Sequence, residues 1–328
     1  MRRLAAHLAY GMASTLHVTR EQTEERNWLP GLTLTDLLLL CMALIWGVNY
    51  AVVKYATGEL PPLAFNSARV LLAVVVLFGI VTANGYVLPR GRDLLALLVL
   101  GALGNGLYQI FFIEGIARTR AGDAALLISA APAFMAILGW LRGTERTGIR
   151  GVTGIVLSLI GMALVVFGNA PGDAGGHATL IGDALILASC LCWSVYSVLV
   201  KPYTERIQGL PLHATTMLGG SIPLVLVSLP TLAHTQWSTI SAGGWIAVAY
   251  SGLLALSLGY LFWYRGVKML GPTRSAMYAN LQPIVALSAA WATLHEAPHW
   301  LQLAGAAFIM AGLVLTRLPT RHTEPPCE

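Results

Sequence analysis

The sequence predicts an all-α integral membrane protein whose ten transmembrane helices form two inverted five-helix repeats. Three observations predict it. The chain is 56% hydrophobic and only 11% charged, less than half of the roughly 25% typical of soluble domains. Uncharged runs recur along it, each close to the ~20 apolar residues that cross a bilayer. And the stretch "WGVNYAVVK" (46–54) returns, little changed, as "WSVYSVLVK" (193–201).

A surface so poor in charge suits lipid. The net charge of +5 then reads as loop charge beside a membrane, and no basic stripe with interleaved aromatics marks a nucleic-acid partner. The expected spans are 35–55, 63–83, 94–115, 124–141, 151–170, 181–200, 212–232, 244–264, 275–294 and 300–317. The boundary between the seventh and eighth rests on Pro230, His234 and Gln236, because no Asp, Glu, Lys or Arg occurs from Ile207 to Tyr264.

The ends read as tails. Residues 1–33, with Arg2, Arg3, Arg20, Glu21, Glu24, Glu25 and Arg26, form a cytoplasmic N-terminal tail, and 319–328 a cytoplasmic C-terminal one. His7 interrupts the one short apolar stretch that imitates a signal peptide. Cys41, Cys190 and Cys192 fall in spans and Cys327 in the tail, so no disulfide framework is implied. With the N-terminus inside, sixteen of the twenty lysines and arginines face inward. Lys54, Arg118 and Arg120 face outward and Arg69 lies in a span, a strong positive-inside bias for an inner (plasma) membrane.

The repeat runs through the chain. An offset of 147 carries Asp36, Trp46 and Lys54 onto Asp183, Trp193 and Lys201. An offset of 151 carries Gly115, Pro132, Glu145, Gly154 and Gly161 onto Gly266, Pro283, Glu296, Gly305 and Gly312. The units are 34–170 and 181–318, joined by a periplasmic linker at 171–180 within "NAPGDAGGHATL". Five spans per unit is an odd number, so the second unit enters from the opposite side. This is the inverted-repeat design of secondary transporters, with substrate held near the midplane.

Candidate site residues follow from that depth. Trp46 lies about 15 Å past Asp36 along a helix, half of a core about 30 Å thick. Trp46, Asn49 and Tyr50 share one helical face, as do Trp193, Tyr196 and Ser197. They either wall a cavity or pack between helices. Asn105, Tyr108, Gln109 and Phe112 recur along the third span, and Ser257, Tyr260, Trp263 and Tyr264 along the eighth. Their polar atoms contact substrate or bond neighbouring helices. Pro132 and Pro283 sit mid-span, where a missing N–H kinks a helix and frees a carbonyl. Ser129, Asn280 and Gln282 stand nearby to satisfy that backbone or to bind substrate. Glycines 154, 161, 305 and 312 permit close helix packing.

Three features carry other chemistry. Arg69 pairs, snorkels or binds substrate. Glu114 is expected to pair with Arg118 one turn on, not to relay protons. "HEAPH" (295–299) matches a zinc-protease signature, but Pro298 disfavours the helix that would align its histidines. No metal or cofactor is expected, no phosphate loop appears, and enzymatic activity is not expected.

The run 35–317 resembles the drug/metabolite transporter superfamily, specifically its EamA-type ten-helix permeases. The resemblance rests on "ALIWGVNYAVVK", the Arg69 of "FNSARVLLA", "GDAALLISAAPAFMAIL" and "GVTGIVLSLIGMALV". Their second-half counterparts are "LCWSVYSVLVK", "SAMYANLQPIVALSAA" and "LAGAAFIMAGLVL". It implies alternating access, with helices 1, 3, 4, 6, 8 and 9 lining the cavity. Glu114 departs from the neutral residue usual there, and Tyr108, Gln109, Tyr260 and Trp263 occupy variable positions. The expected function is export of a small metabolite, an amino acid or a similar hydrophobic, cationic or zwitterionic compound. Import, or a non-transporting membrane role, is the alternative. The expected partners are that small-molecule substrate and the lipid bilayer, with the chain a monomer or homodimer.

Overall fold

The computed structural model describes residues 33–142, 149–168, 176–270, 275 and 278–317. Residues 1–32 and 319–328 of the expected tails, the first half of the linker (171–175), and Glu145 lie outside the described residues. Every regular element among the described residues is helical.

Helix α1, Leu34–Glu59, begins at a capping box. The Thr33 hydroxyl accepts the Asp36 N–H at 3.3 Å, and the Asp36 carboxylate accepts the Thr33 N–H at 2.9 Å. A second link fixes this end, because the Tyr278 hydroxyl donates to Asp36 at 2.6 Å. Helix α2, Pro62–Ala83, follows with proline in its first turn, where no N–H is missed. The remaining rods are α3 (Gly91–Arg118), α4 (Ala121–Leu141), α5 (Ile149–Gly168), α6 (Gly176–Thr204), α7 (Gly209–His234), α8 (Ala242–Leu270), α9 (Gln282–Leu294) and α10 (Trp300–Arg317). Seven of them, α1–α4 and α6–α8, are long and apolar enough to cross a membrane. Shorter apolar stretches occupy 151–167, 282–294 and 300–315.

Three rods depart from the uniform α-helices expected of the sequence. Helix α3 contains a π segment, Ala102–Leu107, and α8 contains another, Tyr250–Leu258. Helix α4 breaks at Ala130 (φ −81°, ψ 0°) into Ala121–Ser129 and Ala131–Leu141. The ninth span was expected at 275–294, but Asn280 and Leu281 form a turn there and α9 starts at Gln282. Pro132 and Pro283 therefore head new helices instead of kinking the middle of old ones. A proline in a first turn costs no hydrogen bond, so breaking the helix is the cheaper geometry. Ser129 does not serve the carbonyl that Pro132 frees. It donates to Leu126 at 2.6 Å, while the Ile128 carbonyl lies 3.8 Å from the Cys190 sulfur of α6.

Contacts between the halves come in matched pairs. Helix α3 packs on α6 as α8 packs on α1, and α4 packs on α6 as α9 packs on α1. Helix α7 covers α2 and α3, and α5 lies along α10. That last pair uses the heptad-spaced glycines. A Cβ on Gly161 would sit 2.7 Å from the Gly305 carbonyl oxygen, and the reverse holds for Gly305. Gly161→Leu should therefore force α5 and α10 apart. The expected loss is about 1–3 kcal/mol, the usual cost of overpacking, read as a lower unfolding midpoint of the purified protein. An unchanged midpoint would show that this helix pair tolerates separation.

Candidate functional site

A cavity of about 1290 Å³ occupies the centre of the bundle. Most of the residues expected to contact substrate line it: Trp46, Asn49 and Tyr50 from α1, Tyr108 and Gln109 from α3, and Trp193 and Tyr196 from α6. Tyr260 and Trp263 of α8, and Asn280 and Gln282 at the α9 turn, complete that set. Pro132 and Pro283 line it too. The expected lining helices are present, and α2 adds Arg69 while α7 adds Leu210 and Leu212.

The aromatic side chains form one connected wall. Trp46 stands 5.0 Å from Tyr260 and 6.2 Å from Trp263. Trp193 reaches the same Tyr260 at 6.5 Å, so the two repeated tryptophans meet through one ring. Trp193 also contacts Tyr108 at 5.6 Å, Tyr108 stacks on Phe112 at 5.8 Å, and Phe112 meets Tyr50 at 5.9 Å. Such edge and offset geometries are favourable for rings and leave flat apolar faces toward a ligand.

The π segments build this wall. In a π turn some carbonyls lose their regular partners. Trp46 Nε1 donates to the Ala255 carbonyl of α8 at 2.8 Å, which locks the indole against Gly259. The Tyr250 hydroxyl donates to the Ile45 carbonyl at 3.0 Å, and Ser251 donates to the Asn49 side chain at 2.8 Å. Asn105 and Ser257, expected beside Tyr108 and Tyr260, lie inside the π segments and do not line the cavity. The wider turn rotates them off the cavity face. Asn105 is buried against Gly220 of α7, and Ser257 donates to Gly252 at 2.9 Å.

His213 of α7 escaped the sequence reading. It is buried, stacks on Tyr260 at 4.1 Å and contacts the Leu256 carbonyl at 3.1 Å, so it backs the wall from behind. A lone histidine in an apolar run carries no periodic signal that would reveal this.

One end of the cavity is closed. Lys54 Nζ donates to the Ile116 and Ala117 carbonyls at 3.1 and 3.0 Å, capping the end of α3. Thr119 donates to Asp183 of α6, and Gln302 of α10 donates to Asp123 of α4 at 2.7 Å. The Glu296 carboxylate accepts the Ala121 N–H at 2.9 Å at the start of α4, a favourable place for an anion. Arg120 donates to the Ala297 carbonyl. The "HEAPH" stretch is thus a loop latch. His295 has left-handed backbone (φ 56°), and Glu296 is engaged with α4. Glu114 pairs with Arg118, as expected.

The other end opens. There the lining side chains are the exposed Lys201, Glu205, Arg206, Arg265 and Lys268.

The profile described as the EamA-like transporter family matches residues 33–167 and again 180–318. The uncharacterized transporter YyaM of Bacillus subtilis is 27% identical over 88% of this chain and 96% of its own. A probable terminal-alkyne amino-acid exporter of Streptantibioticus cattleyicolor is 29% identical over 84% of this chain and 91% of its own. A protein of known crystal structure, 21% identical, superposes with a TM-score of 0.62 over 87% of this chain and 96% of that one, so the two share a fold.

The latch generates a pH prediction. Burial holds the Glu296 carboxyl above its ordinary range, opposed by Arg120, the Ala121 N–H and Lys54. A raised carboxyl pKa stabilises the fold below the ordinary carboxylate range, and that contribution disappears as pH rises through the folded value. Glu296→Gln mimics the protonated form. Its unfolding midpoint should match wild type in acid, exceed it increasingly as pH rises from the ordinary carboxylate range through the folded Glu296 pKa, and keep a steady excess above that. A constant difference across that range would show that the carboxylate does not titrate with folding.

Proposed function

Because this chain belongs to the EamA-like transporter family, we propose that it moves a small amphipathic metabolite, an amino acid or similar compound, outward across the inner membrane by alternating access. The chain is a multi-pass membrane transporter. The finer reading rests on one observation: a central cavity with an aromatic wall, open at one end and latched at the other. That is the shape of one state of an alternating-access cycle. Ten spans in two inverted repeats, 34–170 and 181–318, account for the matched helix pairs and the double family match. With both termini cytoplasmic, the open mouth faces the cytoplasm. Loading from that side favours export, and the relative described as an amino-acid exporter favours an amino-acid-like cargo.

The latch suggests how the states exchange. Lys54 and Lys201 are equivalents in the repeat, yet Lys54 caps the end of α3 while Lys201 stands exposed at the mouth. On the 151-residue offset, Ile116 and Ala117 correspond to Val267 and Lys268 at the end of α8. In the opposite state Lys201 caps those carbonyls and Lys54 is released. No nucleotide site is needed for this cycle, and exchange or facilitated diffusion suffices to drive it.

Two measurements test this reading. A reporter placed within 169–180 should face the periplasm while both termini face the cytoplasm; a cytoplasmic signal there sinks the inverted-repeat arrangement. Trp193→Ala should reduce flux of amino acids in reconstituted vesicles by about tenfold or more, the loss of roughly one buried ring contact. Its unfolding midpoint should fall less than that of Trp46→Ala, because only Trp46 also holds the π segment through Ala255. Parallel loss of flux and stability at Trp193 would make that ring a packing element.

A further inference from the structure

Arg69 is 1% exposed and yet lines the cavity. It lies seven residues past Pro62 on α2, about 10 Å from the latched end. Its Nε donates to Asn66 Oδ1 at 2.8 Å and one Nη to Gln109 Oε1 at 2.8 Å. Asn66 is itself fixed, donating to the Gln109 backbone carbonyl at 3.0 Å. The guanidinium also stands 5.4 Å from the Phe65 ring centroid and 5.8 Å from that of Phe112. All of these partners are neutral. Among the described residues the ion pairs are Arg118–Glu114 and Arg206–Asp93, and the one acid among the described lining residues, Glu205, is at the far mouth.

A buried charge without a counter-ion is destabilising by several kcal/mol, and removal of solvent is offset well only by an opposite charge with good geometry. Ring contacts and two amide oxygens offset part of it. A purely structural arginine at this place would be expected to carry an acid from a neighbouring helix. A guanidinium has five N–H donors, and the two protein hydrogen bonds leave three over on a side chain that lines the cavity. Those donors form the planar fork that carboxylates fit in bidentate fashion.

Resting on the cavity as the transport site, we infer that Arg69 binds the carboxylate of the transported molecule and so selects a small monoanionic or zwitterionic acid with an apolar body. The acid end lies at the latched floor beside Gln109 and Phe112. The body lies along Tyr108, Trp193 and Tyr260 toward the mouth. A single fixed positive charge matches a single carboxylate and leaves a doubly charged phosphate uncompensated. The basic side chains at the mouth raise the local concentration of such anions.

Matched acids and amides test it. Detergent-purified protein is titrated with 3-phenylpropanoate against 3-phenylpropanamide, and with L-leucine against L-leucinamide, using intrinsic tryptophan fluorescence from the cavity. Wild type should bind each acid about tenfold or more tighter than its amide, the scale of one charge-assisted pair. Gln109→Glu supplies an internal counter-ion in an isosteric side chain. It should bring the acid-to-amide affinity ratio toward one, as should Arg69→Gln, with folding checked by circular dichroism and monodispersity. If Arg69→Gln does not fold, Gln109→Glu decides alone. Equal wild-type affinity for acids and amides overturns the inference and leaves the transport reading standing. An acid preference that survives Gln109→Glu assigns the carboxylate to another group and also overturns it. Binding of none of the four probes overturns the reading of the cavity as a site for small amphipathic metabolites, and this inference with it.

Discussion

The constraint on which this structure depends is that lipid offers no hydrogen bonds. Every backbone polar group in a span must be satisfied by protein or by a water-filled cavity. Irregular backbone is therefore allowed only inside the bundle. The two π segments, the break at Ala130 and the turn at Asn280–Leu281 all lie at the cavity wall or next to it. The peripheral helices α5 and α10 run without interruption. In α8 the Ala255 carbonyl of the π segment is taken up by Trp46 of α1, an aromatic of the cavity, and Tyr250 of the same segment donates back to the Ile45 carbonyl of α1. Backbone satisfaction and ring placement are thus one arrangement.

Much of this was legible because lipid makes polarity informative. An amide or a tyrosine in a mostly apolar run has few places to go, so Asn49, Tyr50, Gln109 and Asn280 pointed inward on residue type alone. The repeated Trp46 and Trp193 were legible by their common depth. What periodicity missed is the register change. A rule of 3.6 residues per turn places Asn105 with Tyr108 and Ser257 with Tyr260, and one extra residue per turn moves both away. The prolines misled in the same way, since their effect on α4 and α9 is a full break whose cost the neighbouring helices absorb. His213 stayed invisible because its role is to support Tyr260 from behind, and such contacts leave no trace in spacing.

Charge divides by location. At the surface, Glu114 with Arg118 and Arg206 with Asp93 are exposed pairs, each worth at most about 1 kcal/mol. Within the bundle the accounting differs, because an ion there needs a partner and Arg69 has amides and rings instead. Its neighbours hold the guanidinium in place without neutralising it. That combination keeps geometry and charge separate: Asn66 and Gln109 orient the fork, and its electrostatic demand remains open to whatever enters the cavity.

The proposed cycle requires two states close in energy, and the contacts at the closed end are weak enough for that. Those contacts are few: Lys54 on two carbonyls, Glu296 on one N–H, Arg120 on one carbonyl, Thr119 on Asp183 and Gln302 on Asp123. Each contributes about 1 kcal/mol net, somewhat more where charged. Their sum is a few kcal/mol, and the close packing of α5 on α10, which does not border the cavity, lies apart from them. A shift from one state to the other requires differential binding of about 5 kcal/mol to be nearly complete, and smaller biases suffice for turnover. Closure by a handful of caps at helix ends is therefore of the same order as the binding energy of a small ligand. In the proposed cycle the aromatic wall stays packed throughout and the helix termini open and close. In that cycle Lys201, which lines the cavity at the mouth as does Lys268 near the end of α8, takes the part that Lys54 has at the closed end.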